Sequence, residues 1–235
     1  MRLCMFHPAD MPMERGWVGR VDGDEVVHLA AQTLQHLFSG GGTARDHARY
    51  RLADVELLLP LPSPPSVRVF DEARSFEFAN PAALSGPRGA VTYPPGASAV
   101  ADIGLAGLVG SGEVAALSPV ARLRAPKLEP PKDRDFSIVL GPWFTTVDEA
   151  PGIADVTVTV GGTRSGAAFG GFDWESARRF AAENTRLRVG DLLLAPAALV
   201  VDVPPGSAVA IDVEGHGTLS FTADAASRGH EGHGR

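Results

Sequence analysis

The side chains in this sequence that could do chemistry are few, and most fall outside a catalytic spacing. No Gly-x-Ser-x-Gly elbow occurs and the single cysteine, Cys4, stands near one end, so a nucleophilic hydrolase lacks an evident nucleophile. Gly110-Ser111-Gly112-Glu113 follows an apolar run in the manner of a phosphate loop. Pro119 comes too soon for a full helix and no βαβ unit surrounds the loop, so it reads as a turn. His230 and His233, with Glu231 between them, could take up a transition metal, but a flexible tail fixes no geometry for it. His216, between Gly215 and Gly217, reads as a hairpin residue with its ring toward solvent. Trp143 and Trp174 read as core or interface anchors.

The elements that must position any site are short. With 44% hydrophobic and 21% charged residues, 235 residues suffice for a real core, while 27 glycines and 19 prolines imply many turns, hence a mainly β or mixed fold. The formal charge of −7 leaves no basic footprint, which argues against nucleic acid and against an anionic membrane. One cysteine cannot form an intramolecular disulfide. No apolar run reaches membrane-spanning or signal-peptide length, so a cytoplasmic protein is expected.

Residues 1–61 read as a small α+β unit. Trp17–Val21 and Glu25–Leu29 flank Asp22-Gly23-Asp24, a tight-hairpin signal. Ala30, Leu34, Leu37 and Phe38 share one helical face that Gly40-Gly41-Gly42 would stop, and the polar stretch 43–51 then leads to Val55–Leu59. Pro60, Pro62, Pro64 and Pro65 mark a junction. Beyond it, residues 62–222 alternate strand candidates with turns: Glu77–Ala79, Ala90–Tyr93, Leu105–Val109, Ser137–Leu140, Phe144–Val147, and the period-two runs Val156–Val160 and Val209–Val213. One helix, capped by Asp173 and striped by Trp174, Ala177, Phe180 and Ala181, is predicted to end near Arg186. Residues 223–235 are expected to be a disordered tail.

The co-linear phrases PSPPSVRVF (62–70), FEFANPAALSGP (76–87), DFSIVLGPWFTTVDE (135–149), WESARRFAAENTRLRVGDLLL (174–194) and VAIDVEGHGTL (209–219) resemble the fumarylacetoacetate hydrolase family. The resemblance implies a mixed β-sandwich roll that dimerises, with itself or with a family relative. It also implies hydrolysis of C–C bonds in β-diketo acids, or processing of related oxoacids, with Mg²⁺ or Ca²⁺. Such a metal chelates two substrate oxygens and needs several carboxylate oxygens in near-octahedral array.

Matched to that family, this sequence retains little of the site. The strand that should carry two glutamates presents Asp102 and then Gly104; the stretch 114–129 contributes no aspartate. The lysine position becomes Arg134, with Lys132 two residues upstream, and arginine does not titrate as lysine does. Ala195-Pro196 replaces a Gly-Thr pair that touches substrate, and no histidine lies between Val67 and Phe78. Asp102 is left as the one matched metal ligand, with Asp71, Glu72, Glu77 and Glu113 as the acids from which a site could be rebuilt. No cofactor is therefore expected. The expected function is binding of a small oxoacid-like metabolite, or pairing with an active relative, with C–C hydrolysis weak or lost. The alternative is a metal-independent enzyme on an enolisable oxoacid, with Asp102 as base and Arg134 and Lys132 stabilising an enolate.

Overall fold

The computed structural model describes residues 1–40, 43–94 and 97–224. The first part of the chain forms β1 (Arg2–Pro8), β2 (Trp17–Asp22), β3 (Glu25–Ala30), helix α1 (Leu34–Phe38), β4 (Thr43–Arg51) and β5 (Val55–Leu58). After the proline-rich stretch come β6 (Val67–Glu72), β7 (Ser75–Ala79), β8 (Leu84–Ser85), β9 (Ala90–Thr92), β10 (Ala99–Val109), β11 (Val114–Arg124), β12 (Ile138–Leu140) and β13 (Phe144–Thr146). The remainder forms β14 (Ile153–Val160), β15 (Thr163–Gly170), α2 (Trp174–Ala182), β16 (Leu192–Leu194), β17 (Leu199–Val203), β18 (Ala208–Val213) and β19 (Gly217–Asp224).

These strands make two sheets. The smaller has the order β15-β14-β18-β19-β9; the larger, of 14 strands, runs β4-β3-β2-β1-β13-β11-β10-β16-β6-β7 with branches. Because β1 pairs with β13, the strands of the N-terminal part extend the same sheet as the second part. The axis of the molecule is the hairpin β10–β11, two 11-residue strands in antiparallel register from Val100 opposite Arg124 to Val109 opposite Val114. The free edge of β10 is shared, Ala106–Leu108 pairing with β16 and Ala99–Ile103 with β17.

Both faces of this hairpin are covered, which is why β10 is apolar nearly throughout rather than alternating. Ile103, Leu105, Leu117, Ala121 and Leu123 face the smaller sheet and pack with Val156, Val158 and Ile211. Ala106, Leu108, Ala116 and Val120 face the other way, onto a second core with Leu3, Val18 and Leu34. Side chains alternate along a strand, so Asp102, Gly104, Arg122 and Arg124 fall on this second face, at the end the apolar core does not reach.

Several local expectations change. Ala30 ends β3 instead of joining a helix, which starts at Leu34 under a Thr33 cap whose side chain accepts from the His36 amide. Residues 43–51, polar in composition, form edge strand β4. The second helix has its Asp173 cap but stops at Ala182, four residues early, with Asn184 in the left-handed region at φ 58°. Gly110–Glu113 is a turn, the Gly110 amide donating to the Glu113 carbonyl. His216 is not solvent-facing: it is fully buried, with neither ring nitrogen hydrogen-bonded. The tail beyond residue 224, with His230 and His233, lies outside the described residues.

Candidate functional site

The site grows from the register of the central hairpin. Asp102 stands directly opposite Arg122, and Arg124, two residues on, projects from the same face. Arg124 donates from Nε to Asp102 Oδ2 at 2.6 Å and from Nη2 to Oδ1 at 2.7 Å. Arg122 adds Nη2 and Nε bonds to Oδ2 at 2.9 and 3.3 Å. Four N–H groups thus converge on one carboxylate whose side chain is only 10% exposed. The fork of Arg124 matches the carboxylate in the geometry that favours arginine over lysine. Its guanidinium is held more firmly protonated by that hydrogen bond to Asp102.

Arg122 has a second partner. Its Nη1 donates to Glu77 Oε1 at 2.6 Å, and Arg134 Nη1 donates to both Glu77 oxygens, at 3.1 and 3.0 Å. Glu77 reaches this position from edge strand β7. Arg134 also grips its neighbour Asp133 through Nε and Nη2 at 2.8–3.0 Å, a contact that keeps the Asp133 carboxyl below its usual range. An alternating chain Arg124–Asp102–Arg122–Glu77–Arg134–Asp133 is therefore formed, with Asp102 and Asp133 buried and Glu77 its most exposed member.

Of the residues singled out from the sequence, Asp102, Arg134 and Glu77 belong to this chain of charges, Asp102 and Arg134 being joined only through Arg122 and Glu77. Lys132 does not: it is exposed and pairs with Asp135 at 2.8 Å. Ala195 lines a small cavity of about 40 Å³ with Asp102, Gly104 and Arg122, while the Pro196 carbonyl lies 3.4 Å from where a Gly104 Cβ would be. Arg122 and Arg124 were missed. Their signal is the alternation Ala121-Arg122-Leu123-Arg124 within a strand, which places both cations on one face.

The space around the site is divided. Two larger clefts, about 230 and 290 Å³, open on either side of Glu77 and share Glu77, Arg122 and Arg134 in their walls. The first is bordered by Ala79, Pro130 and Pro131, the second by Val69, Asp71 and Ser75. A more voluminous cavity, about 720 Å³ beside Met5, Leu34 and Pro60, shares no residue with the charged chain.

A hard divalent cation does not fit this donor set. Such an ion takes six or more oxygens, several of them carboxylate, and among the described residues no three His, Cys, Asp or Glu side chains converge. Asp71, Glu72, Glu77 and Glu113 do not assemble a replacement. Asp102 already has its oxygens filled by two guanidiniums, which would have to leave before a cation could approach.

A separate buried network supports β6 and β16 nearby. Ser66 Oγ donates to Asp191 Oδ1 at 2.6 Å, Arg68 donates to Ser66 Oγ, and the Arg188 amide donates to Asp191 Oδ2 at 2.7 Å. Arg68 and Asp191 are both buried, and the Arg68 guanidinium lies 5.2 Å from the Phe78 ring centroid and 5.6 Å from that of Phe76. Asp191 is the aspartate of the Gly190-Asp191-Leu192-Leu193 phrase, so that phrase holds strands together rather than facing the clefts.

No protein-family model matches the chain. No curated protein matches it at sequence level. Solved structures do. Maleylpyruvate hydrolase from Sphingobium sp. SYK-6, in complex with manganese(II) and pyruvate, has a TM-score of 0.78 at 21% identity, over 97% of this chain and 100% of that one. The 5-carboxymethyl-2-hydroxymuconate delta-isomerase from Mycobacterium smegmatis has a TM-score of 0.75 at 19% identity, over 96% and 100%. A 2-keto-3-deoxy-D-arabinonate dehydratase complexed with magnesium and 2,5-dioxopentanoate has a TM-score of 0.78 at 16% identity, over 97% and 100%. The fold is accordingly fumarylacetoacetate hydrolase-like, mainly β, as the sequence phrases imply. Among the described residues no helix is long and apolar enough to cross a membrane.

Proposed function

We propose that this chain is a fumarylacetoacetate hydrolase-family protein that has exchanged its metal for arginine, and that it binds a small oxoacid-like metabolite without metal-dependent C–C hydrolysis. One observation carries the reading: both oxygens of Asp102 are filled by Arg122 and Arg124, and Gly104 supplies no second ligand. The solved relatives named above are complexed, in two cases, with a divalent metal and an oxoacid. A guanidinium can supply the positive charge that an acid's oxygens need, and unlike a bound cation it requires no carboxylate cage.

The base role for Asp102 is the weaker reading on this geometry, since all its hydrogen-bond contacts are N–H donors of permanently charged groups and Asp102 itself lines neither of the larger clefts. Dimerisation with itself or with an active relative is compatible with either role. The test is a screen of acylpyruvates and simple oxoacids by ligand-observed NMR, with Mn²⁺ and then with chelator. Binding that survives chelator, without turnover, supports the reading. Turnover that needs Mn²⁺ and stops with chelator overturns it.

A further inference from the structure

The cleft pair around Glu77 has an occupant already. Glu77 presents its carboxylate to Arg122 and Arg134 at 2.6–3.1 Å, which is how an arginine pair would hold the carboxylate of a bound acid. The side chain doing this is 44% exposed and hangs from β7, an outer strand of the large sheet that, among the described residues, pairs with β6 alone. Its withdrawal breaks no core packing. The two guanidiniums are fixed independently, Arg122 by Asp102 and Arg134 by Asp133, so they stay in place when Glu77 leaves.

We propose that Glu77 is a built-in stand-in for a ligand carboxylate, and that the site takes a monocarboxylate with a short apolar chain, which displaces Glu77 and lies along Pro130-Pro131. This rests on the carboxylate-binding reading above and adds the residue that gates it and the class of acid. Exchanging one carboxylate for another gains little electrostatically, so a bare small acid has no advantage over the resident side chain. An acid gains only through what its remainder covers. On one side of Glu77 that remainder meets Ala79, Pro130 and Pro131 in a space of about 230 Å³, room for a chain of several carbons or one ring. On the other side it would meet Asp71, whose carboxyl is held ionised by a hydrogen bond with Ser75, so a second acidic group is repelled there. A dicarboxylate is therefore the poorer ligand.

The experiment is a titration of the full chain, in chelator, with acetate, hexanoate, phenylacetate and succinate, read by arginine Nε–H NMR shifts and by calorimetry. It uses the wild type, Glu77→Gln and Arg134→Ala. Expected are hexanoate and phenylacetate binding that moves the Arg134 signal, tightens at least tenfold in Glu77→Gln and is lost in Arg134→Ala, with acetate and succinate at least tenfold weaker. Succinate binding as tightly as hexanoate overturns the ligand class. Affinity unchanged by Glu77→Gln overturns the stand-in role. Acids that bind equally well to Arg134→Ala leave metal-independent acid binding standing and overturn this location for it, whereas absence of binding by every acid to wild type and Glu77→Gln overturns this proposal and leaves the oxoacid reading to its own screen.

Discussion

Arg124 grips Asp102 through two parallel hydrogen bonds, Nε to Oδ2 at 2.6 Å and Nη2 to Oδ1 at 2.7 Å, from diagonal positions on neighbouring strands. In a fold whose solved examples include metal complexes, this pair puts a permanent cation of the chain's own against the carboxylate. The arrangement is self-consistent, because Arg122 and Arg124 supply donors to both oxygens of Asp102, and Asp102 in turn makes their burial tolerable.

Removing the carboxylate charge should be costly. Asp102→Asn leaves two guanidiniums facing an amide at a site largely closed to water, and we expect a loss of roughly 2 to 3 kcal/mol in chemical denaturation. Adding Arg124→Gln should recover part of that loss, because the uncompensated charge goes with it. A double mutant that simply sums the two single losses would show that the pair is not coupled.

His216 predicts an acid sensitivity. Burial pushes its imidazole down to about 4, while the unfolded chain has the ordinary value near 6.5. Between these values the unfolded state binds the proton and the folded state does not, so stability is complete above about pH 6.5 and falls as pH drops toward 4. The total is on the order of 3 kcal/mol. His216→Leu should flatten the midpoint of urea unfolding across this window, whatever it does to stability at pH 8. Glu175, held near 2 by Arg178 and Arg179, acts only at lower pH, where it ceases to be ionised.

Much of this architecture was legible because period-two patterning and turn residues are local signals: Val156–Val160, Val209–Val213, the Asp22-Gly23 hairpin and the Asp173 cap are visible without tertiary knowledge. The central hairpin was harder. With both faces buried along most of their length, β10 and β11 alternate little; patterning marked only Leu105–Val109 of β10, the family resemblance carried that strand back to Asp102, and nothing of β11 was anticipated. The site was half legible. Asp102, Gly104 and Arg134 stood out by position in the family pattern and Glu77 as an acid near the missing histidine segment; the alternation of Arg122 and Arg124 puts both on one face, but that this face meets Asp102 and Glu77 depends on tertiary pairing, which a sequence does not display. His216 was misplaced for a similar reason: its flanking glycines signal a hairpin correctly, and its burial depends on the chain packed against that hairpin, where Thr145 of β13 donates to the Gly215 carbonyl and Trp143 lies against Gly217.

That packing is itself testable. Gly217 has φ +86°, and a Cβ there would run into the Trp143 ring, whereas Gly23, at φ +62°, has open space. Gly217→Ala should cost roughly 2 kcal/mol or more, from strain and overlap together. Gly23→Ala should cost about 1 kcal/mol, from the backbone alone. Equal melting shifts for the two variants would show that Trp143 does not press on the hairpin.

Restoring one carboxylate should not restore a metal site. Gly104→Glu places a second acid on the Asp102 face, yet Arg122 and Arg124 still fill the first. We expect no gain in Mn²⁺ affinity from Gly104→Glu alone, measured by calorimetry, and a measurable gain when Arg124→Ala is added. A Gly104→Glu protein that binds Mn²⁺ without loss of an arginine would show that the guanidiniums are not the barrier.

The most direct test is a Mn²⁺ titration of the wild-type chain followed by electron paramagnetic resonance of the free ion, with and without pyruvate. Arginine in place of the metal predicts that the free-ion signal keeps its full amplitude to millimolar protein, unchanged by pyruvate. Loss of that signal at micromolar protein, deepened by pyruvate, would contradict it.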